Sequence, residues 1–218
     1  LVTVALARGK GPAWPLDFLP QPPQPPQRKR RRGRPKKGTL PQVKQSKLIT
    51  ALALVQRVLA TDVSAHFVTF DCWYTAVWLL KGLAALSLVF VAPVKRNRQV
   101  VWEGRRVQAR TLLRLAKRRI QSVFLVELPG FGPVRVACVR RPVRGGGVQW
   151  EILITNDLAL TARAMKAIYR ARWSIEVLFE EAKQRFGLLH FHNRSMAAIL
   201  AHLAFTWLAL LLVLLLRV

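Results

Sequence analysis

The stretch Tyr169 to Lys183 (YRARWSIEVLFEEAK) constrains the fold more than any other part of the chain. Tyr169, Arg172, Glu176 and Lys183 fall close to one stripe of a 3.6-residue period. Ile168, Ile175, Leu178, Phe179 and Ala182 gather on a different side, which would face a core. One long helix is therefore expected here, capped by Asn156-Asp157 or Thr161 and ended at Gly187. Such a helix holds one carboxylate between two cations and a phenol. That arrangement suits a metal-binding acid facing phosphates, although a solvated charged face is the plainer reading of the same residue types.

Upstream, the pattern changes twice. Leu1 to Ala7 reads as a short buried strand, broken by Gly9, Gly11, Pro12 and Pro15. Pro20 to Gln27 (PQPPQPPQ) is expected to be extended and polyproline-like. Apolar spacing predicts a helix over Lys47 to Ala60. Phe67 to Phe70 is a β-type run ending at Asp71, Thr75 to Leu83 is helical, and Leu88 to Val94 is strand-like. A strand–helix–strand unit of this kind normally pairs its strands in parallel. Strands then follow over Val100 to Val107, Ile120 to Leu128, Val134 to Arg140 and Val148 to Thr155. Glu103-Gly104, Pro129 to Gly132 and Gly145 to Gly147 punctuate them, so antiparallel hairpins are expected.

Charge narrows the function. The 218 residues carry a net charge of +26, and 52% are apolar. A folded core is thus compatible with the composition, but self-repulsion on this scale calls for a polyanion, with nucleic acid first and an acidic membrane surface second. The two cysteines, Cys72 and Cys138, stand far apart with no Cys-x-x-Cys or His-x3-His pair. That spacing speaks against a disulfide framework and structural zinc, and fits a reducing cytoplasm. Cys72 reads as a small buried residue, and Trp73, Trp78 and Trp173 read as mostly core.

Asp71 is the second informative acid. It stands at the carboxyl end of an apolar strand, where open α/β sheets place ligand-binding residues. Capping of the following helix is its alternative role. A strand-end acid meeting a helix-borne acid such as Glu176 could bridge divalent metals for phosphodiester attack.

The Y-x2-R-x3-E-x6-K spacing resembles the signature of bacterial insertion-sequence transposases of the DDE type. Val68-Thr-Phe-Asp71-Cys-Trp-Tyr-Thr looks like the strand and turn that carry their second Asp, and Val91-Ala-Pro-Val-Lys-Arg-Asn97-Arg like the next strand. Thr155-Asn156-Asp157-Leu and Phe186-Gly-Leu-Leu-His-Phe-His-Asn-Arg194-Ser resemble the segments flanking the Glu helix. The likeness runs from about residue 47 to 210. It implies an α/β, ribonuclease-H-like core, partial because its first strands are missing, over residues 47–218, with a β-rich insertion at about 98–156. Residues 1–46 would be the end of a core strand followed by a Pro-rich and basic loop. Asp71 and Glu176 would be the second and third acids, binding Mg²⁺ or Mn²⁺. Tyr169, Arg172 and Lys183 would contact transposon-end DNA. The partners implied are double-stranded transposon-end and target DNA, with a homodimer on paired ends, in a bacterial cytoplasm near the nucleoid.

One position departs from that pattern. No residue matches the family's first catalytic Asp, and Asp17 reads as a loop residue rather than a substitute. Leu1 is not an initiator methionine, so the chain reads as the C-terminal part of a transposase, inactive alone. A non-catalytic DNA-binding relic or regulator is the alternative.

Two further segments point outward. Arg28 to Lys37 carries eight positive charges in ten residues. Within it, Arg32-Gly-Arg34-Pro resembles an AT-hook for the A·T minor groove, or a basic loop that only neutralises phosphates. Met196 to Leu216 contains no charge and is long enough to span a bilayer. His202 and Thr206 interrupt it, and the resemblance implies a helix packed on the core, so membrane anchoring is the lesser expectation. His190, His192 and His202 form no recognisable metal spacing, leaving packing or phosphate contact.

Overall fold

A computed structural model describes residues 2–7, 11–19, 42–61, 63–118, 120–143, 145–190 and 195–216. Arg32, Arg34, the rest of the basic segment and His192 lie outside the described residues. The chain forms two compact units, one of residues 64–173 and the other of residues 1–63 with 174–218.

The unit of residues 64–173 is built on a mostly antiparallel sheet. Its strands are β3 (Phe67–Thr69), β4 (Val89–Pro93), β5 (Gln99–Trp102), β6 (Arg105–Gln108), β7 (Val123–Leu128), β8 (Gly132–Pro142) and β9 (Val148–Thr155). Their spatial order is β3-β4-β9-β8-β7-β5-β6. As expected, β3 and β4 are parallel, joined through helix α2 (Val77–Ala85). The later strands pair antiparallel and extend the same sheet. At the β5–β6 turn, Glu103 and Gly104 both take positive φ (49° and 74°), matching the twist that a two-residue hairpin loop needs.

Alternation divides the core between the two sheet faces. Phe90, Val134, Val136, Cys138, Ile152 and Ile154 point to one face, where Leu80 of α2 and Leu112 and Leu113 of α3 (Ala109–Lys117) cover them. Val91, Ala137, Val139 and Leu153 point to the other, under Met165 of α4 (Ala162–Ala171). Buried Cys138 has its thiol pKa pushed up to about 12 by desolvation, so it is an inert packing residue.

The other unit begins with an antiparallel hairpin, β1 (Val2–Ala7) with β2 (Ala13–Leu19). β2 corrects the expectation that the prolines end regular structure here. Pro15 is tolerated because it pairs opposite Ala5 at a register shift, where a ladder N–H is dispensable. Asp17 therefore sits in a strand and not in a loop. Helix α1 (Gln42–Leu59) packs on both strands, and its Leu54 is fully buried. Helix α5 (Trp173–Phe186) ends at Gly187, whose φ of +65° lets Leu188 N–H reach Ala182 O at 2.9 Å. Helix α6 (Met196–Leu216) lays Leu203, Trp207, Leu210 and Leu214 among Leu178 and Ala182 of α5. It is long and apolar enough to cross a membrane, and 28% of its most apolar window is buried.

The single long helix expected over the Tyr169–Lys183 run is in fact two. α4 closes at Arg172, whose N–H turns back to Tyr169 O at 3.1 Å, and α5 starts at Trp173. Thr161 is the cap at the start, its Oγ1 accepting from Ala164 N–H at 3.2 Å.

Candidate functional site

Asp71 follows β3 by two residues. Its Oδ1 accepts from the Cys72 N–H at 2.6 Å and so caps a 3₁₀ turn at Cys72–Tyr74. Thr75 closes that turn, Oγ1 donating to Cys72 O at 2.7 Å. Capping and solvent exposure coexist, since the residue remains exposed at the sheet's carboxyl end. The Cys72 thiol is pushed up by partial burial and then by the neighbouring Asp71 charge. The Tyr74 phenol is raised by the same two causes in the same order. Neither group is poised as a nucleophile at neutral pH.

β4, the parallel partner of the strand that leads into this turn, is held in place by Asn156. Its Nδ2 donates to Leu88 O and its Oδ1 accepts from Phe90 N–H, both at 2.9 Å. A side-chain amide thus completes the start of the β4 ladder from the end of β9. Sequence reading gave Asn156 only a capping role, and no periodicity would have disclosed this one.

Tyr169 and Arg172 lie at the end of α4, with the Arg172 guanidinium carbon 5.5 Å from the Tyr169 ring centre. Burial raises the Tyr169 pKa, with Arg172 pulling the other way, so the phenol is a hydrogen-bond donor at neutral pH. Glu176 stands in the first turn of α5, partly buried, and Lys183 lies in its last turn, exposed. At seven residues apart, the acid and the cation share one face of that helix. The structure thus groups Tyr169 with Arg172 and Glu176 with Lys183, on separate helices.

Three aromatic expectations are overturned. Trp73 is 63% exposed, Trp78 51% and Trp173 57%. Each occupies a turn or helix surface, and Lys95 Nζ stands 4.3 Å from the Trp73 ring centre. His202 does pack, its Nε2 lying 3.0 Å from Gly187 O, while His190 is exposed.

Asp17 is engaged elsewhere. Arg57 Nε lies 3.1 Å from its Oδ2, and Oδ1 accepts from Phe18 N–H. Among the described residues no group of three or more His, Cys, Asp or Glu side chains could hold a metal ion. Exposed Asp71 has the hard oxygen chemistry that Mg²⁺ or Mn²⁺ prefers, and so does Glu176. Either carboxylate alone is too few ligands for such an ion, which takes about six oxygens.

A search of curated proteins gave no match. The transposase DDE domain, by contrast, matches residues 37–212, from the end of the basic segment to the last turns of α6. With that match over most of its length, the chain belongs to the transposase DDE domain family.

Proposed function

We propose that this chain is the catalytic region of a DNA transposase with a ribonuclease-H-like core, in which Asp71 and Glu176 are two of the acids that bind divalent metal. The observation that carries the reading is Asp71, exposed just beyond a parallel-paired strand, in a chain of this family. Mg²⁺ or Mn²⁺, held by these acids, would activate a water or the DNA's own 3′-hydroxyl and neutralise charge at the scissile phosphodiester. The chain's own residues do the rest. Arg172 and Lys183 seat transposon-end phosphates, and the protonated Tyr169 donates its O–H to the same backbone. Target DNA joins in strand transfer, and two copies hold paired ends, within the nucleoid of a bacterial cytoplasm.

A third carboxylate completes the set, and Asp17, tied to Arg57, is not it. The 218 residues alone should therefore bind duplex DNA without cutting it. That is the second reading, a DNA-binding protein without chemistry, in its testable form. Joining on an upstream strand that bears an Asp should restore Mg²⁺-dependent cleavage. In the extended protein, Asp71→Asn or Glu176→Gln should abolish cutting while leaving DNA affinity within about twofold, since neither removes a phosphate contact. A direct check is Fe²⁺ with ascorbate and peroxide, which cuts polypeptide beside bound metal. Cuts next to residues 71 and 176, suppressed by excess Mg²⁺, are expected. Cuts at neither position would sink the assignment of these acids.

A further inference from the structure

Helix α3 was not foreseen from the sequence, and it carries charge that the DDE acids do not explain. Its apolar residues Ala109, Leu112, Leu113 and Ala116 are all buried against the sheet. That spacing leaves Arg110, Arg114 and Lys117 in one exposed row, about 10 Å long at 1.5 Å per residue. Together with Arg96, Asn97 and Leu113 they line a shallow cleft of about 340 Å³. The backbone at Arg96 is tied to the start of α3, because its carbonyl accepts the Arg110 N–H at 2.9 Å, while Arg98 O accepts from Ala109 N–H at 2.8 Å.

Elsewhere in the molecule, cations close to carboxylates are paired with them: Arg57 with Asp17, Arg141 with Glu151, Arg185 with Glu181. Among the described residues the four cations of this cleft make no ion pair. Between Lys95 and Arg118 the only acid is Glu103, at the tip of the β5–β6 turn. Like charges held this close repel one another, and a polyanion laid across them removes the repulsion.

We infer that the Arg96, Arg110, Arg114 and Lys117 cleft is a second DNA seat, gripping the phosphodiester backbone of duplex DNA. This deepens the proposed function and rests on it. The aliphatic stems of the cations and Leu113 form the wall of the cleft, and the charged ends of Arg110, Arg114 and Lys117 stand at the exposed surface, so the seat recognises backbone rather than sequence. It adds affinity to every duplex alike.

The test is the salt dependence of binding by the full chain to a duplex of unrelated sequence. The triple variant Arg110→Ala/Arg114→Ala/Lys117→Ala should flatten the log–log slope by about 2.7, at about 0.9 per contact. The wild type would then lose roughly 40-fold more affinity than the variant between about 50 and 200 mM salt. An Arg110→Lys/Arg114→Lys variant should keep the wild-type slope, which separates lost charge from a folding defect. An unchanged slope in the triple variant overturns this seat and leaves the transposase reading standing. Failure of the wild type to bind any duplex overturns both. Loss of binding to phosphatidylserine vesicles with the DNA slope intact would also overturn it, by assigning the cleft to an acidic membrane.

Discussion

The unit of residues 64–173, built on the large sheet, and the unit that ends in α6 use apolar residues in different ways. In the first, strand alternation sends Phe90 and Val91, or Leu153 and Ile154, to opposite sheet faces, and helices cover both. Phe90, Phe124, Leu112 and Leu153 are fully buried as a result. In the second, α6 is apolar on every side. Leu203, Thr206, Trp207, Leu210 and Leu214 are buried, while Phe205, Leu208, Leu212, Leu215 and Leu216 are exposed. Apolar content alone therefore does not make a core. A period that matches the element does, because it tells each side chain which neighbour to meet.

If this contrast is real, the largest effect belongs in the sheet. Phe90 is fully buried and packs its ring against Phe70 and Phe131, with centroids 6.4 and 5.7 Å away. Phe90→Ala should cost about 3–5 kcal/mol, read as a shifted urea midpoint at unchanged slope. A cost below about 1 kcal/mol would mean that the sheet core is loosely packed, and the contrast would fail.

A smaller effect sharpens the same comparison at the sheet's functional end. Asn156→Ala leaves the Leu88 carbonyl and the Phe90 N–H without their side-chain partner. The expected cost is about 1–3 kcal/mol. Amide exchange at Phe90 should speed up more than at Val126, which lies away from the lost bonds. Uniform acceleration would show that Asn156 supports the whole unit and not the β4 edge.

What could be read from sequence follows the same division. The parallel β3–β4 pair, the antiparallel strands after it and the ends at Thr161 and Gly187 all rest on local pattern and turn chemistry, and the structure has them. β2 was hidden because Pro12 and Pro15 read as breakers, and only pairing with β1 makes room for Pro15. α3 was legible in principle: Ala109, Leu112, Leu113 and Ala116 follow i, i+3, i+4, i+7, but the stretch between the strands expected at Val100 to Val107 and Ile120 to Leu128 was given no element. The break at Arg172 leaves no mark in the 3.6-residue pattern, which runs straight through it. Among the candidate site residues, Asp71 stood out by position and Glu176 by spacing. Exposure of Trp73, Trp78 and Trp173 did not, because residue type favours burial and only the finished fold shows which face a ring takes.

The smallest expected effect tests the α6 side of the comparison. Leu216 is 87% exposed, so Leu216→Ser removes little packing and should change stability by less than about 0.5 kcal/mol. Leu215→Ser, at 61% exposure, should do the same. Leu210 is 1% exposed, and Leu210→Ala should cost about 2–5 kcal/mol from the opposite side of the same helix. The three variants share one element and differ in the face they alter, so helix propensity cannot account for a difference of that size. If Leu216→Ser proved as costly as Leu210→Ala, the outer face of α6 would be packed against something in solution. The distinction between a period-matched core and an all-apolar helix would then dissolve. If instead Leu216→Ser left stability alone but moved the protein from an alkali-resistant membrane pellet to the supernatant, the outer stripe would be lipid-facing. Stability unchanged, with wild type and variant both in the supernatant, is the expected result.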